Sequence, residues 1–111
     1  MRIEKQTSGD VVLLKVSGTI SFTDTNTLKS LLHRVAHEGQ QKIIVDCQEM
    51  DSINSQALAV FLSAYKALKG GIIVFANANP HVQRVLKSTH LDDMFPLYGT
   101  VEAAVNAMKP V

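Results

Sequence analysis

The stretch VDCQEMDSINSQALAVF, Val45 to Phe61, decides the fold because its hydrophobic period changes partway along. The run that leads into it, KIIVDC (Lys42 to Cys47), is short, β-branched and almost continuously apolar, as a strand buried on both faces is. Beyond it, Leu58, Phe61, Leu62, Tyr65 and Leu68 recur at helical spacing. With no glycine or proline between the two patterns, DSINSQ (Asp51 to Gln56) is predicted to be a strand-to-helix corner. After the helix, Gly70 and Gly71 stop the chain and a second apolar run, IIVFAN (Ile72 to Asn77), begins at once. Strand, helix and strand in that order imply a parallel crossover.

Working outward, MRIEKQT and VVLLKVSG read as two strands joined at Ser8, Gly9 and Asp10 in a hairpin-like turn. A helix of about four turns follows, with caps available at Thr23, Asp24 and Thr25, an apolar stripe at Leu28, Leu31, Leu32 and Val35, and Gly39 as its stop. Asn79 and Pro80 announce a third helix, HVQRVLKST, with Val82, Val85 and Leu86 on one side. MFPLYGT suits a short edge strand because Pro96 cannot donate to a ladder, and VEAAVNAM reads as a last helix. The expected order is ββαβαβαβα, an α/β fold with a mixed sheet of about five strands.

At 111 residues the chain fits one domain, residues 1–111, with a single core. A net charge of +1 without a basic run, and few aromatics, argue against a nucleic-acid partner. The N-terminal MRIEKQTSGD has no signal-peptide core, and no apolar run has the length of a membrane span, so a cytoplasmic protein without membrane insertion is expected.

Candidate chemistry is sparse. No phosphate-binding glycine loop, paired cysteines or Gly-x-Ser-x-Gly elbow occurs, and nothing supplies a nucleophile with its base, so neither an enzyme nor a cofactor is expected. Cys47 ends a buried strand and reads as a small hydrophobe. His33 and His37 stand one turn apart, as zinc ligands can, but no third ligand accompanies them and a solvated helix face is the reading preferred. Asp46, Glu49 and Asp51 could hold magnesium, yet acids at a strand's end more often cap turns. His81 and His90 are expected at the surface, and Tyr65 in the core. The corner remains. Beyond the carboxyl end of a parallel strand is where function gathers, which places Ser55 at an exposed helix N-terminus. Ser52, Asn54 or Ser55 could equally be a structural N-cap worth about 1 kcal/mol.

Nearly the whole chain resembles a family. The pieces VVLLKVSGTISFTDTNTLKSLL, KIIVDCQEMDSINSQAL, GIIVFAN and HVQRVLKSTHLDDMFPLYGTVEAAV are similar to STAS domains, specifically the small single-domain anti-anti-sigma factors (anti-sigma factor antagonists) of bacterial partner switches. The last piece is the most specific, through Val85, Leu86, Leu91, Phe95 and the helix near Val101. The resemblance implies a STAS fold with about four helices packed mainly on one face of the sheet. In that family the corner reads hydrophobic-Asp-Ser-Ser/Thr-Gly and its first serine is phosphorylated by an anti-sigma factor kinase. Ile53, Asn54, Ser55, Gln56 and Ala57 occupy those places here, so Ser55 matches the phosphoacceptor. Asn54, Gln56 and Ala57 depart from the family's aspartate, second hydroxyl and glycine.

By that resemblance, Asp51, Ser52, Ile53, Asn54, Gln56 and Ala57 belong to the docking surface. The partners implied are an anti-sigma-type serine kinase and a PP2C-type phosphatase acting on phospho-Ser55. A second class of function is a constitutive STAS scaffold subunit of a signalling or lipid-transport complex. A third is a sensor with a nucleotide or lipid pocket beside the corner.

Overall fold

A computed structural model describes residues 1–108. Strands β1 (Arg2–Ser8) and β2 (Val11–Thr19) form the opening antiparallel hairpin, turning through Gly9 and Asp10 with Gly9 at φ +60°. Helix α1 (Asp24–His37) leads to β3 (Lys42–Asp46), which is followed by a short strand β4 (Met50–Ser52) and helix α2 (Ser55–Ala67). The chain continues through β5 (Ile72–Ala76), α3 (Pro80–Ser88), β6 (Leu97–Tyr98) and α4 (Val101–Met108). The sheet order is β1-β2-β3-β5-β6, with β2, β3, β5 and β6 mutually parallel. The expected mixed sheet is therefore present, with β6 on an edge just after Pro96.

The sequence pattern explains why β3 and β5 lie inside. Ile43, Ile44, Val45, Ile73, Val74 and Phe75 are wholly buried, because helices cover both faces of this part of the sheet. On one face, Leu28, Leu32 and Val35 of α1, Leu58, Phe61 and Ala64 of α2, and Val82 and Leu86 of α3 share a core with Val12, Leu14 and Val45. Phe61 packs edge-on against Phe75 at 5.1 Å between ring centroids, and Phe75 lies 5.8 Å from Phe95. Helix α4 covers the opposite face, setting Ala104 and Met108 on Ile44, Val74 and Ala76. Three helices thus lie on one side and one on the other.

One element differs from expectation. The sheet has six strands, because Met50–Ser52 pairs in parallel with the end of β2. Gly18, at φ +82°, is where the β2 register shifts, and its N–H donates to Glu49 O at 2.8 Å. A side chain at that φ would be strained, which is why glycine stands at the switch. Residues 51 and 52 thus belong to a strand, and the true corner narrows to Ile53 and Asn54.

Candidate functional site

The path from β3 to α2 is held by side chains whose geometry can be followed one bond at a time. Asp46, 7% exposed, ends β3 with its Oδ1 accepting from Gln48 N–H at 3.1 Å and from Asn77 Nδ2 at 3.1 Å. The carboxylate therefore makes a turn and ties β3 to the end of β5. Cys47 follows, fully buried, with its thiol pushed up to about 12 by burial and then by the neighbouring Asp46 charge. A thiol so protonated is a poor nucleophile. Met50 is buried, Asp51 exposed and Ser52 half-buried, the alternation of a strand with one face on the core.

Ile53 then turns inward, 5% exposed, and Asn54 starts the helix. Asn54 has an extended backbone, φ −117° and ψ 172°, and its Oδ1 accepts the Ala57 N–H at 2.8 Å. Its Nδ2 donates to Ile20 O at 3.0 Å, which fastens the turn after β2 to the corner. Of the three candidate caps, Asn54 is the one used. Ser55 is left as the first helical residue, exposed, and among the described residues its hydroxyl has no hydrogen-bond partner. Gln56 and Ala59 are exposed beside it.

The structure divides the expected docking residues. Asp51, Asn54, Ser55 and Gln56 present side chains to solvent and Ser52 does so in part. Ile53 and Ala57 do not: both are buried in the main core, Ala57 completely, so neither side chain is available to a partner. Their part is to seat the corner. The Ala57 methyl lies in the core.

Other candidates fall elsewhere. His33 Nε2 lies 3.1 Å from Ser63 Oγ, a link between α1 and α2, while His37 is exposed. His81 and His90 are exposed, and Tyr65 is half-buried, edge-on to Phe95 at 5.9 Å. No group of three or more His, Cys, Asp or Glu among the described residues could hold a metal ion, and none of their helices is long and apolar enough to cross a membrane.

Two features of this region escaped the sequence reading. Thr23 stands at the N-cap position of α1 without a side-chain cap bond, and the entrance is tied by Asp24 to Ser21, a residue outside the expected set: Ser21 N–H donates to Asp24 Oδ2 at 2.9 Å and Ser21 Oγ to the same atom at 2.7 Å, while Ser21 Oγ accepts the Asp24 N–H at 3.3 Å. The bonds to Oδ2 hold the Asp24 carboxyl below its usual range, the backbone donation from Ser21 being the first cause. The other is Phe22, 71% exposed on the turn that Asn54 grips. Its neighbour Thr25 donates from Oγ1 to Phe22 O at 2.6 Å.

With this geometry in hand, the chain can be set beside known proteins. A family model described as STAS domain matches residues 2–104. A Thermotoga maritima protein provisionally named an anti-sigma factor antagonist is 26% identical over 103 residues, covering 90% of this chain and 91% of that protein. The crystal structure of an anti-sigma factor antagonist from Mycobacterium paratuberculosis superposes with a TM-score of 0.88 at 23% identity, over 98% of this chain and 94% of that one. The Bacillus cell fate determinant SpoIIAA in its phosphorylated form gives 0.79 at 14% identity, over 97% and 100%. At these identities the superpositions establish the shared fold.

Proposed function

The chain belongs to the STAS domain family, and on that premise we propose that it is an anti-sigma factor antagonist working by partner switching. In the unphosphorylated state the corner and the start of α2 bind an anti-sigma-type serine kinase or related regulator. Phosphorylation of Ser55 releases that partner, and a PP2C-type phosphatase restores binding. The reading rests on one observation. Ser55 stands exposed at the helix entrance with a hydroxyl that has no partner among the described residues, because Asn54 supplies the cap in its place.

Physical chemistry supports such a switch. A phosphoserine carries about −1.5 to −2 charges, and the first turn of a helix tolerates negative charge with a gain of about 0.3 to 1 kcal/mol. The fold survives the modification. In a docked interface the same group must be desolvated, at a cost of several kcal/mol, which exceeds the local gain. Since about 1.4 kcal/mol is tenfold in affinity, release follows from that difference.

The test is affinity capture from lysate of the native cell with wild type, Ser55→Ala and Ser55→Asp, the retained proteins being identified by mass spectrometry. A kinase-like protein retained by Ser55→Ala and lost by Ser55→Asp is the expected result. Equal retention of one partner by both variants would overturn the switch and favour a fixed scaffold subunit.

A further inference from the structure

One exposed aromatic side chain stands on the turn that Asn54 ties to the corner. Of the large hydrophobic side chains among the described residues, Phe22 at 71% and Met94 at 40% are the exposed ones. Burying a phenyl ring is favourable, so a ring held in water forgoes that gain.

Phe22 is held there, and its backbone is not free to turn the ring inward. Ile20, two residues before it, is buried, and its carbonyl receives Asn54 Nδ2 at 3.0 Å. Ser21 is bonded twice to Asp24, and the chain's amino terminus lies 3.5 Å from the same carboxylate. The carbonyl of Phe22 itself accepts from Thr25 Oγ1. A backbone fixed in this way leaves only the ring's own rotamer to be ordered on binding.

Apart from the Asp24 carboxylate with the amino terminus beside it, and Asp51 at the near end of the corner, the two stretches that carry Phe22 and Ser55 are uncharged. From Val16 to Thr23, and again from Ser52 to Tyr65, the sequence contains no Asp, Glu, Lys, Arg or His. Exposed Ser21, Thr23, Asn26 and Thr27 flank Phe22 in sequence, and the turn is tied to a corner that exposes Asn54, Ser55 and Gln56. An aromatic anchor with neutral polar neighbours and depleted charge is the pattern of a protein–protein interface core. It is the wrong pattern for a polyanion or an acidic membrane, which bind through cations.

We propose that Phe22 is the apolar anchor of the docking surface, its ring entering a neutral apolar pocket on the regulator that Ser55 controls. This rests on the corner being the docking site. It extends that site across to the β2–α1 turn and specifies what the partner must offer. It also accounts for the leverage of the switch: one phosphate enters an interface in which neither stretch supplies a cation to pair with it.

The experiment replaces Phe22 and, separately, Gln56 with the photo-crosslinking amino acid p-benzoylphenylalanine in the native cell. The partner found is then purified and its affinity measured for wild type, Phe22→Ser, Ser55→Asp and the control Met94→Ser. Expected are adducts of both positions with one and the same protein, a loss of about tenfold or more for Phe22→Ser, and a change under about twofold for Met94→Ser. Because Phe22 is exposed, thermal unfolding of Phe22→Ser should match wild type. An adduct at position 56 alone, different proteins at the two positions, or unchanged affinity of Phe22→Ser would overturn the anchor and leave the corner reading standing. Adducts at neither position would overturn both. Vesicle binding abolished by Phe22→Ser would assign the ring to a lipid surface and overturn the proposal.

Discussion

Two helix entrances in this molecule share one capping geometry and differ in the residue that follows the cap. Helices α2 and α3 each begin with an asparagine in extended conformation, Asn54 at φ −117°, ψ 172° and Asn79 at φ −71°, ψ 168°. Each accepts the N–H three residues on at 2.8 Å, to Ala57 and to Val82. Each amide reaches back to a main-chain carbonyl outside its helix, Ile20 O in the turn after β2 at 3.0 Å and Met50 O in β4 at 2.9 Å. The main-chain carbonyls of both also accept a first helical bond, from Leu58 and Gln83. At the next position the two part company: α3 has Pro80, the residue best suited to a first helical turn, and α2 has Ser55. The asparagine does the structural work at both entrances. The comparison marks Ser55 as a residue that capping does not require.

The comparison breaks first at the asparagines, where the largest effects are expected. Asn54→Ala and Asn79→Ala should each lower stability by about 1–2 kcal/mol, since each removes a cap and strips a main-chain carbonyl of its side-chain donor. Chemical denaturation of the two variants checks this. A much smaller loss at Asn54 than at Asn79 would mean that another group, Ser55 included, can take over the α2 cap.

How much of this was legible in the sequence differs by element. The inner strands β3 and β5 announce themselves by unbroken apolar runs, and the helices by their stripes, because burial on both faces or on one leaves different periods. The corner was placed correctly, but its interior was not. Met50–Ser52 has one buried apolar residue and becomes a strand only by pairing with the end of β2 at Gly18, a tertiary event without a local signature. The cap was legible as a choice among Ser52, Asn54 and Ser55, and backbone conformation made the choice. Ile53 and Ala57, expected to face a partner, instead face the core, since a turn's facing follows from that same conformation. Phe22 drew no notice because an isolated apolar residue near a helix start reads as core. Only its exposure distinguishes it.

Helix α1 sharpens the comparison, since its entrance depends on charge where the other two do not. Thr23 makes no side-chain cap, and the Asp24 carboxylate accepts the Ser21 N–H instead. The hydrogen bonds from Ser21 hold the Asp24 carboxyl below the ordinary aspartate range in the folded state. A depressed carboxyl contributes stability that is fully present above its unfolded pKa and is lost as pH falls through the folded value. Acid should therefore loosen the α1 entrance while leaving the amide caps of α2 and α3 intact. Carboxyl-detected NMR should find the Asp24 midpoint below 3.8, with the Ser21 amide shift following it. A midpoint at or above that value would remove the distinction.

The smallest expected effect is the most pointed, because it asks whether Ser55 matters to the fold at all. A residue before proline must be extended, and Asn54 already is. Among the described residues the Ser55 N–H makes no backbone bond that a proline would break. Ser55→Pro should therefore convert the α2 entrance into a copy of the α3 entrance, with stability within about 0.5 kcal/mol of wild type. Ser55→Asp should fall within about 1 kcal/mol and on the stabilising side, since a carboxylate at the first turn meets the positive end of the helix. Thermal or urea unfolding of the two variants decides the matter. Near-wild-type stability in both leaves the hydroxyl with no structural office, so that any phenotype of these substitutions must come from binding or modification. A loss of 2 kcal/mol or more in Ser55→Pro would show that the two entrances are alike only in their hydrogen bonds.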